Sequence, residues 1–259
     1  MKAPLDLVSL IKRASLDTHL RNDAIINWRC NAKNIFEHQE RTGVRISDAG
    51  KCALELWAEL HGKNDIPEDP DLQISRFDIG TLYGLWLACL TKAVIEAEHP
   101  DWDCDLEPEV ALDGVQGHID VLVRLRSNLT PLWVIEFKST YWGNALEAPH
   151  ERAFYQVLQA ASYAEAKRAP VFSIVTIGPA VHGKYDKQVK KWVTPSKMRQ
   201  DDYQTSEYAH HAKTEIKRLK TALAATPAEA DAEEDWRCKS CRYSGCNYNK
   251  NPRNLEAAS

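Results

Sequence analysis

Residues 105–112, 117–126 and 131–139 set Val, Ile and Leu at alternating positions, and this constrains the chain more than any other feature. A period of two marks strands that face a core. Gly114 marks one turn and the run SNLTP another, so the three stretches read as a strand meander. Residues 148–168 then return to a helical period. Residues 171–178, VFSIVTIG, form a short strand, KYDKQVKKW a further one, and 199–225 a long helix. Upstream, residues 5–20, 46–60 and 74–98 are helical, with Ser47 or Asp48 as a cap for the second. Gly80 and Gly84 inside the third helix cost about 1 kcal/mol each against Ala, which suggests close packing or the close approach of a ligand. This order fits an α/β fold with a central sheet flanked by helices. We expect one compact domain: a helical region over 1–100, a core over 101–198, and a helix, cysteine cluster and tail over 199–259.

With 44% hydrophobic residues in 259, a sizeable core can form. The net charge of −4 excludes a uniformly basic nucleic-acid binder, so any such binding needs a local groove with a metal or a Lys/Arg patch. No apolar run is long enough for a transmembrane helix. The N-terminal stretch is amphipathic and too charged for a secretory signal, so a cytoplasmic setting is expected.

The strand WVIEFKST carries an acid and a base where a buried strand should be apolar. Trp133, Ile135 and Phe137 share one face; Val134, Glu136 and Lys138 share the other. Alone, a Glu-x-Lys pair reads as a surface ion pair of little worth. The preceding strand, GVQGHIDVLVRL, changes that reading, because it holds Asp120 amid Ile119, Val121, Leu122 and Val123. A hairpin turn around Asn128–Pro131 would set Asp120 near Glu136. Two buried carboxylates repel each other and resist desolvation. A divalent cation with oxygen ligands, Mg²⁺ or Mn²⁺, answers both problems. It would activate a water and polarise a phosphoryl oxygen, with Lys138 orienting or deprotonating that water or stabilising the developing charge.

Asp120, then Glu136-x-Lys138, then Gln159-x3-Tyr163 on the next helix resembles the PD-(D/E)XK nuclease superfamily, in its RecB/AddB-like exonuclease branch. The resemblance spans roughly residues 45–250. It implies a restriction-endonuclease-like core and catalytic roles for Asp120, Glu136, Lys138, Gln159 and Tyr163. Asp120, Glu136 and the Phe137 carbonyl would hold the divalent cation, and Gln159 and Tyr163 would line the DNA path. The branch often has a metal-binding His in an upstream helix, and Gly84 stands there instead. Glu109 or Asp78 could supply the missing ligand; His118 reads as a neighbour of Asp120.

Cys238, Cys241 and Cys246 crowd near the C-terminus and leave a four-ligand site one short. Cys52 is the expected fourth, ahead of Cys30, while Cys89 and Cys104 read as small buried hydrophobes. One cysteine upstream and three at the end resembles the iron–sulfur staple of AddB-like and CRISPR-associated RecB-like nucleases, which implies a 4Fe–4S cluster. Zinc is the rival reading. Lys184, Lys187, Lys190 and Lys191, with Lys217, Arg218 and Lys220, could form a positive rim for DNA.

The expectation is a metal-dependent DNA exonuclease acting on ends or single strands in recombination, repair or DNA processing. Its partners would be DNA and either a recombination protein or further copies of the chain. A non-catalytic nucleic-acid-binding module on the same fold and a zinc-stapled structural domain are the alternatives.

Overall fold

The computed structural model describes residues 4–36, 43–64, 79–139, 151–178, 184–186, 191–193, 198–224, 238, 241–248 and 250. The sheet is built from β1 (Trp102–Leu106), β4 (Val121–Leu125), β5 (Pro131–Ser139), β6 (Val171–Ile177) and β9 (Met198–Gln204), adjacent in that order. β5 and β6 are parallel, and the other neighbours are antiparallel. A parallel pair needs a crossover, and α5 (Glu151–Lys167) lies within that connection. The alternation of β5 therefore serves two cores. Trp133, Ile135 and Phe137 join one with α1 (Leu7–Leu16) and α4 (Ile79–Glu98). Val134 joins the other with α5 and α6 (Thr205–Ala224). Burying side chains of this size contributes about 1.5–3 kcal/mol each. The indole N–H of Trp133 is not wasted, since it donates to Ser173 Oγ at 2.8 Å.

The N-terminal region packs on this frame. Asp6 caps α1, its Oδ1 accepting from Ser9 N at 3.1 Å, and these bonds to Ser9 hold its carboxyl below the usual range. Leu7, Leu10, Ile11 and Ala14 fall on one helical face and are buried. Asp17 ends α1 and its Oδ1 accepts from His19 N and Leu20 N at the start of α2 (Thr18–Phe36).

Several boundaries differ from the sequence expectation. The first two alternating stretches do not run straight through. Glu107 takes φ +51° ahead of Pro108, and the chain steps again at Ile119–Asp120. Between these breaks, β2 (Glu109–Leu112) and β3 (Val115–His118) fold into a separate hairpin around Asp113–Gly114, both at positive φ. The expected helix over 46–60 is a 3-10 turn at Ile46–Asp48 followed by α3 (Ala53–Leu60). Gly50 separates them at φ +74°, and Tyr155 leaves no room there for a Cβ. Asp48 does not cap α3; its Oδ2 accepts from Arg45 N, and Cys52 stands at the N-cap. KYDKQVKKW with the following Val193 contains two short paired strands, β7 (Lys184–Asp186) and β8 (Lys191–Val193), instead of one. The expected helix over 199–225 begins with an edge strand, β9, whose residues MRQDDYQ lack apolar alternation. Among the described residues nothing stands within 4 Å of a Cβ placed at Gly84, so close packing against them does not explain it. No helix among the described residues is long and apolar enough to cross a membrane.

Candidate active site

The strand register brings the acids together. Leu106 pairs with Val121 and Val121 pairs with Ile135. The ladders end at these residues; just past them Glu107 lies by Asp120, and Asp120 by the β5 stretch that holds Glu136. A hydrogen bond from Glu107 N to Asp120 O at 3.3 Å ties the first pair. Phe137 N donates to Asp120 Oδ2 at 2.6 Å and ties the second. The three acids thus sit near one another, Glu107 just past β1, Asp120 just before β4 and Glu136 within β5.

Lys138 leans back along its own strand. Its Nζ donates to Glu136 Oε1 at 2.6 Å and to Gln159 Oε1 at 2.9 Å. Gln159 Nε2 donates to Glu136 Oε1 at 3.1 Å and to the Tyr163 hydroxyl at 3.0 Å. Gln159 and Tyr163 are one helical turn apart on α5, so they present to the same side. This network fixes the amide: its carbonyl must face the ammonium and its N–H₂ the carboxylate. Glu136 is buried, yet its Oε2 has no hydrogen-bond partner among the described residues. An orphaned buried carboxylate oxygen is costly and calls for a ligand.

The electrostatics follow from this crowding. Burial pushes the Asp120 carboxyl well above its usual value, and Glu136 and Glu107 push it further. Burial, then Glu136, raises Glu107 to about 7. For Lys138, burial pulls downward, but Glu136 and Asp120 outweigh it, so the ammonium is held above its ordinary value. Burial, then the charge of Glu136, puts the Tyr163 hydroxyl well above its usual range.

Asp120, Glu136, Lys138, Gln159 and Tyr163 are therefore neighbours. Glu109 is not among them. It stands exposed on the hairpin, opposite an equally exposed His118, and Glu107 takes the place beside Asp120. The signal missed in the sequence was Glu-Pro at the end of the first strand, which stops β1 beside Asp120. Asp78 lies outside the described residues, as do Lys187 and Lys190. Lys184 and Lys191 lie on the β7–β8 hairpin. Among the described residues, no three His, Cys, Asp or Glu side chains already converge as a metal-ligand set.

The cysteines divide as their surroundings dictate. Cys89 and Cys104 sit in the core against α1 and α4; burial raises the Cys89 thiol to about 12 and lifts Cys104 as well. Cys30 is exposed on α2. Cys52 and Cys246 pack with Tyr243 on the cluster of Leu54, Trp57 and Ala58. Cys238 and Cys241 are buried. The Cys241 thiol is raised to about 11, by burial first, with Glu55, Cys246 and Cys52 adding to it. Cys52, far away in sequence, is thus an electrostatic neighbour of Cys241, as is nearby Cys246.

A second charged feature lies at the hairpin tip. Lys213, Lys217 and Lys220, spaced along one face of α6, line an open groove with Asp113 and Thr221. Lys220 Nζ donates to Asp113 O at 3.1 Å, and Lys213 pairs with Glu165 at 2.6 Å.

A family model of the PD-(D/E)XK nuclease superfamily matches residues 34–246. No curated protein matches the sequence. Among solved structures, that of SSO0001 aligns with 15% identity and a TM-score of 0.48, covering 89% of this chain and 96% of its own. A phage related exonuclease from Haemophilus somnus 129PT aligns with 12% identity and a TM-score of 0.39, covering 71% and 93%.

Proposed function

The chain belongs to the PD-(D/E)XK nuclease superfamily, and on that premise we propose that it is a divalent-cation-dependent DNA exonuclease of the RecB/AddB-like branch, acting on ends or single strands. The observation that carries this reading is the orphaned Glu136 Oε2, with other acids near it and a lysine shared by Glu136 and Gln159 beside it. A hard cation with oxygen ligands fits that donor set. Asp120, Glu136 and the Phe137 carbonyl would hold it. When bound, Mg²⁺ or Mn²⁺ supplies an activated water and charge compensation at the phosphoryl group.

The remaining work falls to this chain's own side chains. Lys138, held protonated by its acids, suits a donor to the charge that develops on the phosphoryl oxygens better than it suits a base. Gln159 fixes where the ammonium points, and Tyr163 fixes Gln159. The groove of Lys213, Lys217 and Lys220 offers phosphate contacts on the hairpin whose other end starts at Glu109 and His118.

We also propose that Cys52, Cys238, Cys241 and Cys246 hold a 4Fe–4S cluster. The closeness of Cys52, Cys241 and Cys246 supports a shared ligand. Such a cluster would staple the C-terminal segment to α3 and constrain the long loop between Cys52 and Cys238.

The direct experiment digests end-labelled single- and double-stranded DNA with Mg²⁺ or Mn²⁺, using protein purified without oxygen. Cleavage by the wild type, lost in Asp120→Ala and Lys138→Ala, is expected. Unchanged cleavage in both variants would remove the site assignment. DNA binding without cleavage under either ion would favour a non-catalytic binding module.

A further inference from the structure

We propose that Phe154, His211 and His210 form a stacking platform for the unpaired bases of a DNA strand that enters the active site. The proposal rests on the nuclease reading above and narrows its substrate to single strands or frayed ends.

The first support is a run of rings. Phe154 on α5 and His211 on α6 meet with ring centroids 6.2 Å apart and planes at 76°. Tyr155 extends the run on one side, 6.5 Å from Phe154 at 57°. His210 extends it on the other, 5.9 Å from His211 at 67°. A single exposed apolar side chain is ordinary on a protein surface and needs no explanation. Phe154 is not single: it is 46% exposed, and the exposed rings of His211 and His210 follow it. The same helix buries Val157, Leu158, Ala160, Ala161 and Ala164, so its apolar residues otherwise face a core. Tilted rings leave faces uncovered, and a planar base fills such a face.

The second support is position. Gln159 follows Phe154 by five residues on α5, about 7.5 Å of axial rise. That is the length of about two stacked nucleotides. Tyr155 precedes Gln159 by one helical turn, so these two share a face. A strand held on the rings is therefore within reach of the amide that orients Lys138.

The third support is charge. His210, Lys213 and Lys217 recur at spacings of three and four on α6, which sets them on one face. Lys213 and Lys217 line the groove at the hairpin tip. A strand with its bases on the rings can thus continue with its phosphates on lysines, the pairing of ring faces and backbone charge that single-strand binding uses. Glu207, exposed about one turn before the two histidines, disfavours a phosphate on the rings themselves. Bases are what remains for them to recognise. A duplex keeps its base faces inside the stack, so the platform selects unpaired DNA.

The test measures binding by fluorescence anisotropy to the full chain in the Lys138→Met background, where probes stay uncut. The probes are a single-stranded oligothymidylate, an abasic strand of the same length and a blunt duplex. Phe154→Ala and His211→Ala are each expected to weaken oligothymidylate binding by roughly fivefold or more, and abasic-strand and duplex binding by less than about twofold. Phe154→Trp should retain the parent's affinity, because indole keeps a stacking face. Leu129 is 55% exposed in the turn before β5, at the far end of that strand from Glu136, and Leu129→Ala should change nothing. Oligothymidylate affinity within about twofold of the parent for both alanine variants would overturn the proposal. So would an equal loss on the abasic strand, a loss that Phe154→Trp shares, or the same loss in Leu129→Ala. A parent that binds none of the probes would overturn both this proposal and the DNA reading, whereas a parent that binds oligothymidylate with both alanine variants unaffected overturns this one alone.

Discussion

Gly117 on β3 lies so close to Tyr163 on α5 that a Cβ at Gly117 would stand 2.7 Å from Tyr163 Cε1. The same Cβ would come within 3.1 Å of Ile46 Cβ. Tyr163 and Ile46 are both fully buried, so neither can give way. Gly→Ala in a strand normally gains about 0.4–1 kcal/mol through the unfolded state. Overpacking costs about 1–3 kcal/mol and should win. Gly117→Ala is expected to lower stability in denaturant titration and to reduce cleavage, because a displaced Tyr163 releases Gln159. A more stable Gly117→Ala protein would contradict the packing seen between β3 and α5.

Lys138→Met should lower the cleavage rate by about 10²–10⁴-fold, the range expected for one positioned proton-transfer or charge-stabilising group. Gln159→Leu should cost less, since Lys138 keeps its bond to Glu136. Single-turnover rates at saturating DNA would show this order. The reverse order would mean that Gln159, and not Lys138, acts on the reacting atoms.

Metal-free stability should depend on pH through Glu107. Its ordinary value is 4.5, and in the fold it stands at about 7. The folded state binds that proton more tightly than the unfolded chain does. Below 4.5 both states keep it and no penalty exists. Between 4.5 and about 7 the unfolded chain ionises while the fold resists, so stability falls as pH rises. The loss amounts to a few kcal/mol at most. In chelator, the Tm of Glu107→Gln should match wild type near pH 4.5 and exceed it at pH 8. A gap that does not change with pH would show that Glu107 is not crowded by the other acids.

Protein purified anaerobically should carry iron and sulfide and absorb visible light, and Cys241→Ser or Cys52→Ser should lose both metal and C-terminal protease resistance. A colourless protein with stoichiometric zinc would replace the iron–sulfur assignment with a zinc staple. Cys30→Ser, on an exposed face of α2, should leave the metal content unchanged.

Replacing Lys213, Lys217 and Lys220 together with Gln should weaken single-stranded DNA binding. The salt slope should fall by about 0.7 for each phosphate that is no longer neutralised. Fluorescence anisotropy with a Lys138→Met background at several salt concentrations would measure it. An unaltered slope would assign these lysines to the solvated face of α6.

Period-two alternation and the Asp…Glu-x-Lys order made the strands and the acid–base pair legible, because each strand has to fill a core on its faces whatever its neighbours are. The Gln159–Tyr163 turn was legible for a similar reason: helical spacing alone puts them on one side. Glu107 was not. Its place depends on where β1 stops, on its φ, and on the pairing of β1 with β4, none of which a residue announces by type. Glu109, two residues later, looked equivalent in the sequence and points elsewhere because the chain leaves the sheet between them. The edge strand β9 was hidden for another reason. An edge strand needs little apolar surface, and its polar residues are held by long-range partners such as Leu7 N to Gln200 Oε1 at 2.7 Å and Ser173 Oγ to Asp202 Oδ1 at 2.7 Å. The sequence by itself determined which residue types exist to do chemistry and the local period that sets their faces. Tertiary structure alone decided which carboxylates lie near one another and which oxygen is left bare, because register and burial arise only when separate strands pair.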